Sequence, residues 1–493
     1  MKMVKSLLLG TAAGFVAFAG AQAADLPVKA KPVQYVKICD MYGAGYFYVP
    51  GTETCIKLGG YVRFNTYVNN TSGTVYTNGG FGRFNNAETK DVTSRVRVYL
   101  TGDVRSQTAY GTLRSYYAVQ IQNPTGNANG TGTNSAATVQ IIRGFIQFAG
   151  FTIGRTTSLA DTPNAIEMAS GNWNSVGGST TSTGINALQY TFQFGNGFSA
   201  SLGLEDSDQR DRPLYNVTVT PTSGILTGTD SSSSGANIGS TVPEITANLD
   251  VTQAWGSARV VGALHNVRGA YYSGTGTLNP SGACPAAAGG TAYPGVEACG
   301  RPSDKWGYFV GAGFTITAIP GMPGDLFGVS GGYSDGATAY AVPFNSVAMY
   351  KGGKYTVGNA PDGVYDNRGS IQTTKAWWVS GAYQHAWAPN LKSSVYGAYA
   401  AVDFSAKAQD LVCGIPNGRC NPDYNYWLVG SRIFNWTPVQ NLDIGLDVVY
   451  WKFNSAKSTT GFGNPGGPIR PDRKIGNNDV WYANLQITRS FWP

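Results

Sequence analysis

PEITANLDVTQ, residues 243–253, changes character at every step. Ile245, Ala247, Leu249 and Val251 share one face of an extended chain, while Thr246, Asn248, Asp250 and Thr252 share the other. The same dyad runs through FSASLGLE (198–205), KWGYFVGAGFTITA (305–318) and NLDIGLDVVYW (441–451). Strands that alternate over about 10 residues suit a sheet with hydrocarbon on one side and water on the other.

Walking this template along the chain predicts sixteen strands: 56–68, 91–104, 111–122, 138–148, 151–157, 184–194, 198–206, 243–254, 257–270, 304–318, 325–334, 372–385, 391–404, 423–436, 441–455 and 478–491. Those at 391–404 and 423–436 alternate less cleanly. Connections are short at one end, as at 149–150, 195–197, 255–256 and 437–441. At the other end they are long and rich in Gly, Ser, Thr and Asn, as at 207–242, 271–303, 335–371 and 405–422. An even strand number with this asymmetry predicts an all-β fold: a 16-stranded antiparallel transmembrane β-barrel, with short periplasmic turns and long extracellular loops. Closure follows from backbone chemistry, since an unpaired edge N–H or C=O cannot stay in lipid. A soluble surface adhesin has no reason to alternate its loop lengths.

Composition agrees. Charged residues make up 13%, about half the usual ~25%, with 66 Gly, 29 Tyr and 11 Trp. No stretch reaches the roughly 18 apolar residues of a membrane helix. Lys2 and Lys5, the apolar run 7–20 and Ala21-Gln22-Ala23 read as a signal peptide over 1–23. A leader over 24–55 and the barrel over 56–493 follow. The net charge of +7 falls to +5 without Lys2 and Lys5, and no basic run suits nucleic acid.

The six cysteines form three local pairs, Cys39 with Cys55, Cys284 with Cys299, and Cys413 with Cys420. Pairing within each is the simplest arrangement, the latter two in long loops, in a compartment that permits oxidation. Cys39–Cys55 would tie the leader to the base of the first strand. No CxxC spacing occurs and the only histidines are His265 and His385, so neither a metal site nor a cofactor is expected. His265 is expected to face the lumen and His385 lies near a turn, which leaves a hydrolase poorly supported.

CDMYGAGYFYVPGTETCIKLGGYVRFN (39–65) closely resembles the N-terminal signature of alphaproteobacterial general porins of the rhizobial type. The resemblance continues through SRVRVYLTGDVRSQTAYGTLRSYYAVQ (94–120) and RGFIQFAGFTIGRTTS (143–158), and on towards the C-terminus. It implies a sixteen-stranded water-filled barrel, assembled as a homotrimer among outer-membrane lipid and lipopolysaccharide, for passive diffusion of ions and small hydrophilic solutes. The end, RSFWP, departs from an alternating aromatic terminus: Arg489 interrupts the stripe, and Trp492 and Pro493 overrun it.

In that architecture the third long loop folds into the pore. Here it is about 158–183, and Asp161 and Glu167 would form the acidic side of a constriction. The alternative is an exposed loop whose acids cap a turn. A basic wall is expected opposite. Val96, Val98 and Leu100 face lipid and turn Arg95 and Arg97 inward; Leu113, Tyr117, Val119 and Ile121 do the same for Arg114. By the same parity Arg63 opposes Val62 and Phe64, and Arg143 opposes Ile142 and Ile146. An Arg facing mid-bilayer lipid would cost about 2–4 kcal/mol, which enforces the inward turn. Arg155 aligns with Phe151 and Ile153 and is included as a strand-end residue.

Trp306, Tyr308, Trp377, Trp378, Tyr424, Tyr426, Trp451 and Trp481 are read as interfacial girdles. A sugar-specific channel would want such rings in the lumen. The competing functions are that substrate-specific channel on the same fold, or an adhesin acting through its loops. Selectivity is expected to be modest.

Overall fold

The computed structural model describes residues 37–68, 92–124, 137–163, 176–219, 226–229, 238–271, 300–351, 354–366, 370–413, 421–457 and 474–491. Sixteen long strands form the wall: β1 (Cys55–Val68), β2 (Val92–Thr108), β3 (Gly111–Pro124), β4 (Thr138–Phe148), β5 (Phe151–Thr156), β6 (Ile185–Gly195), β7 (Phe198–Glu205) and β8 (Glu244–Gln253). The second half comprises β9 (Gly256–Val267), β10 (Lys305–Ile316), β11 (Leu326–Asp335), β12 (Gln372–Ala388), β13 (Leu391–Phe404), β14 (Tyr424–Val439), β15 (Leu442–Asn454) and β16 (Asn478–Ser490). Each pairs antiparallel with its sequence neighbour, and the sheet closes where Tyr61–Val68 of β1 lies opposite Ser490–Ala483 of β16. All sixteen strands were legible from the dyad, with ends shifted by a few residues. No helix among the described residues is long and apolar enough to cross a membrane, which says nothing of a barrel.

The short turns collect at the end where the chain enters β1. Ala149 and Gly150 both take positive φ (50° and 87°), the geometry of a tight hairpin whose twist matches its strands. At this rim the leader folds back on β1: Cys39 and Cys55 are bonded, Phe47 pairs with Ile56, and Tyr48 pairs with Cys55. Lys57 Nζ donates to Ala44 O at 3.1 Å. Arg489, which breaks the last stripe, donates to Gln440 O at the adjoining turn (3.1 Å). Cys413 ends the helix Ala406–Cys413 and is disulfide-bonded. Cys284, Cys299, Cys420, Glu167, Trp492, Pro493 and the expected signal peptide lie outside the described residues.

Val62, Phe64, Val96, Leu100, Leu202, Leu249, Val310 and Trp481 are exposed on the outer face, as hydrocarbon contact requires. The inner face holds a surprise. Trp378, Tyr424, Tyr426 and Trp451, expected in the girdle, point inward and are buried, whereas Trp306, Tyr308, Trp377 and Trp481 do face outward. The inward rings are covered by the long connection between β11 and β12. Phe344, Val347, Val357 and Val364 of that connection join Trp378, Tyr396, Tyr426, Trp451, Phe453 and Tyr482 in one apolar cluster. Each such side chain, fully buried, is worth about 1.5–3 kcal/mol. A hydrophobic core is thus set inside the β12–β16 wall of the barrel.

Candidate functional site: the charged inner wall

The pleat of β1–β4 turns an arginine series into the lumen. Arg63 on β1 lies directly opposite Arg97 on β2, and Arg95 opposite Asn65. Arg63 Nε donates to Thr488 Oγ1 (3.1 Å), Arg95 Nη2 to Asn65 Oδ1 (3.1 Å) and Arg97 Nη2 to Gln122 Oε1 (3.0 Å). These acceptors are neutral, so the bonds fix the guanidinium groups, and that of Arg97 keeps its charge on this wall. Tyr61 and Tyr99 stack at 5.1 Å, and the Arg63 guanidinium lies 4.6 Å from the Tyr61 ring centroid.

Arg143 reaches the same surface by a different route. Ala118 pairs with Arg143 but the next residue, Val119, pairs with Ile141, so β4 carries a bulge. Ile142 is the extra residue and is 2% exposed instead of facing lipid. Arg143 Nη2 then donates to Thr181 O (2.9 Å) on the connection between β5 and β6. Among the described residues no carboxylate lies within ion-pair distance of Arg97 or Arg143.

Nearer the short-turn rim two arginines share one carboxylate. Asp103 accepts from Arg114 (Nε 3.0 Å, Nη2 2.8 Å) and from Arg105 (Nε 3.0 Å, Nη2 2.9 Å). Arg105 also lies 5.2 Å from the ring of Tyr46, so the leader covers this cluster. Arg105 was absent from the sequence-based set although it shares parity with Arg95 and Arg97. Arg432 on β14, 3.8 Å from Asp447, was missed too.

Two of the predicted site residues sit elsewhere. Arg155 keeps the parity of Phe151 and Ile153, and its side chain holds the loop's return, donating to Thr183 O (Nη2, 2.8 Å) and Asn186 Oδ1 (3.3 Å). Asp161 is buried. Its Oδ2 accepts from Thr180 N (2.8 Å) and Thr180 Oγ1 (2.7 Å), and its Oδ1 lies 3.3 Å from Arg210 Nη2. Burial raises this carboxyl above its ordinary range, against the pull of the Arg210 charge. Asp161 thus clamps the base of the loop and offers no open carboxylate to the lumen.

Behind that clamp lies a buried polar network. Arg210 sits with its guanidinium 4.2 Å from the Tyr340 ring, and Tyr340 OH donates to Glu244 Oε2 (2.8 Å). Glu244 Oε1 contacts His265 Nδ1 at 2.7 Å, and His265 Nε2 lies 3.3 Å from Asp362 Oδ2. Glu205 Oε1 accepts from Leu159 N and Thr246 Oγ1, each at 2.8 Å. Nearby Asp211 is raised to about 6, chiefly by burial. Facing registers offered a signal: the dyads of β7 and β8 put Glu205 and Glu244 opposite each other and inward, and two buried carboxylates require cations. Among the described residues no cluster of His, Cys, Asp and Glu suits a metal ion.

The sequence model of the Porin subfamily matches residues 25–480. Porin Omp2b of Brucella suis is 34% identical over 269 residues, covering 54% of this chain and 67% of that one. Porin Omp2b of Brucella abortus (strain 2308) is 32% identical over 279 residues, covering 54% and 66%. The match therefore spans about two thirds of those relatives' length. Among solved structures, the outer membrane channel DcaP of Acinetobacter baumannii aligns at TM-score 0.54 and 16% identity, over 90% of this chain and 99% of that one. That likeness concerns the fold.

Proposed function

The chain belongs to the porin subfamily, an outer-membrane β-barrel channel for small solutes, and we propose that it acts as a general diffusion pore with a basic wall. The observation that carries this reading is the inward arginine series on β1–β4 within a closed barrel, with Arg97 held by the neutral Gln122. Fixed guanidinium groups along one side order water and attract anionic and hydroxyl-bearing solutes, while apolar solutes would have to displace that water. Arg63, Arg95, Arg97 and Arg143 are the residues assigned to this wall. Arg114, which shares the single carboxylate of Asp103 with Arg105, contributes less. The connection from β5 to β6 narrows the lumen opposite, with Glu167 as the remaining candidate for its acidic side. We assign residues 24–55 to a periplasmic leader, following a signal peptide over 1–23. A homotrimer, with lipopolysaccharide around its outer rim, completes the proposal; the family indicates a channel rather than an enzyme.

The test is single-channel recording of refolded protein in a planar bilayer under a salt gradient. Long-lived openings in steps of three with a mild anion preference are expected, and a silent bilayer from heat-modifiable, folded protein would refute the reading. A substrate-specific channel is the second reading, favoured by the inward ring pairs Tyr61–Tyr99 (5.1 Å) and Tyr116–Phe145 (5.2 Å) on the same wall. Saturable block of the current by one sugar or aryl anion, with no block by others, would select it.

A further inference from the structure

The connection between β11 and β12 is built as a part of the lumen. At its near end Thr338 N and Oγ1 donate to Asp362 Oδ1 (2.7 and 2.8 Å), and Tyr340 stacks on Phe309 (5.3 Å) while its hydroxyl reaches Glu244 on β8. At its far end the hairpin Ser346–Lys351/Lys354–Asn359 reaches the connection between β15 and β16: Val357 N donates to Ser455 Oγ (3.0 Å), Ala456 N to Val357 O (2.9 Å) and Thr356 Oγ1 to Gly476 O (2.7 Å). In a ring of sixteen strands, β8 and β16 stand on opposite sides. The connection therefore crosses the lumen and covers the arc from β8 to β16, resting on the apolar cluster of Trp378, Tyr426 and Trp451.

It also touches the loop from β5 to β6 from behind. Gly177 N donates to Ala341 O (2.9 Å). A Cβ on Gly178 would fall 2.1 Å from Ala339 O and 2.8 Å from Tyr340 Cα, so the two backbones are in direct contact there. Arg210 joins them as well, bonding Gly178 O while stacking on Tyr340. On its other side the same loop meets the basic wall, where Thr181 O accepts from Arg143 (2.9 Å).

We propose that the β11–β12 connection is a fixed second wall of the channel, which confines solutes to the β1–β4 side and sets, from behind, how far the β5–β6 loop stands from the arginines. It deepens the pore reading and rests on it. A close-packed apolar seat, tied at its ends by the hydrogen bonds of Thr338 and Val357, has no room for gradual displacement, so this wall acts as a rigid stop.

Two variants with opposite expected signs test it. Replacing Val347–Gly358 by two glycines closes the hairpin at its Ser346–Asn359 rung. Single-channel conductance should rise about 1.5-fold or more, and liposome swelling by a trisaccharide should gain more than swelling by a monosaccharide. Gly178→Ala should wedge the loop off Ala339 and towards Arg143, lowering conductance. If the shortened hairpin fails to give a heat-modifiable barrel, Gly178→Ala alone decides. Variants that conduct and exclude sugars as the parent does would overturn the proposal while leaving the pore reading intact. A parent protein that forms no channel would overturn both.

Discussion

Replacing Arg210 by Met should open the base of the β5–β6 loop without unfolding the barrel. Arg210 is 3% exposed, pairs with Asp161 at 3.3 Å, and lies against the Tyr340 ring at 4.2 Å. Removing one partner of a buried pair costs about 3–5 kcal/mol, because the other charge is left uncompensated. The lost ring contact falls within that figure, since such terms do not add. At about 1.4 kcal/mol per decade, the opening equilibrium of the loop base should rise from roughly 10²-fold to a few thousand-fold. Amide exchange reads this directly: Thr180 N–H is held by Asp161 Oδ2, and Gly177 N–H by Ala341 O. Both should lose protection, while amides in the β1–β16 seam keep theirs. The deficit should shrink as pH falls. Without Arg210 the buried Asp161 carboxyl titrates above its open-state value, so the closed form binds the proton more tightly and gains stability on acidification. Unchanged exchange at Thr180 and Gly177, or a deficit that grows in acid, would refute the clamp.

Arg97→Gln combined with Arg143→Gln should lower the anion-to-cation permeability ratio several-fold at low salt and less at high salt, since each guanidinium charge acts across screened water; reversal potentials in a salt gradient check it. Trp451→Ala should lower heat stability by about 3–5 kcal/mol, the cost of emptying a packed site, whereas a lipid-facing girdle Trp would cost less; the temperature of the heat-modifiability shift distinguishes the two. Cys39→Ser should free the leader from β1, and trypsin should then cleave at Lys37 faster in the variant than in the parent. Asp325, in the turn before β11, accepts from His385 Nδ1 (2.9 Å), Tyr383 OH and Ala386 N (2.9 Å), which hold its carboxyl down at about 2. A depressed carboxyl stabilises above its unfolded value near 3.8 and loses that contribution as pH falls through about 2. Proteolysis of the 317–325 turn should accordingly increase in acid, and Asp325→Asn should remove that pH dependence; a variant with the parental acid profile would contradict it.

The outer face was legible because lipid imposes one rule on it. Ile245, Leu249, Val310 and Leu485 must be apolar, and every Arg on β1–β4 must turn away, so parity alone oriented Arg63, Arg95, Arg97 and Arg114. Parity failed for Arg143's neighbour Ile142, since a bulge adds a residue without a sequence mark. It failed more widely for the girdle. Trp377 and Trp378 are adjacent aromatics on opposite faces, and only Trp377 is exposed to lipid, while Trp451 is buried inside.

The inner face obeys no single rule, because part of it meets water and part meets protein. Where water fills the lumen, as beside β2, inward residues are charged or polar and alternation is clean. Where the β11–β12 connection lies on the wall, inward residues are Tyr396, Ala398, Ala400 and Val402 on β13, and Tyr426 and Leu428 on β14, all buried. A strand apolar on both faces loses its dyad. That is the physical reason residues 391–404 and 423–436 alternate poorly. A weak dyad in an otherwise regular barrel is thus a positive signal that something folds inside against that strand, and it points here to the arc that the proposed second wall covers. The clamp residues left no comparable trace: Asp161, Arg210, Tyr340 and Asp362 come from three separate connections, and only the closed barrel brings them within bonding distance.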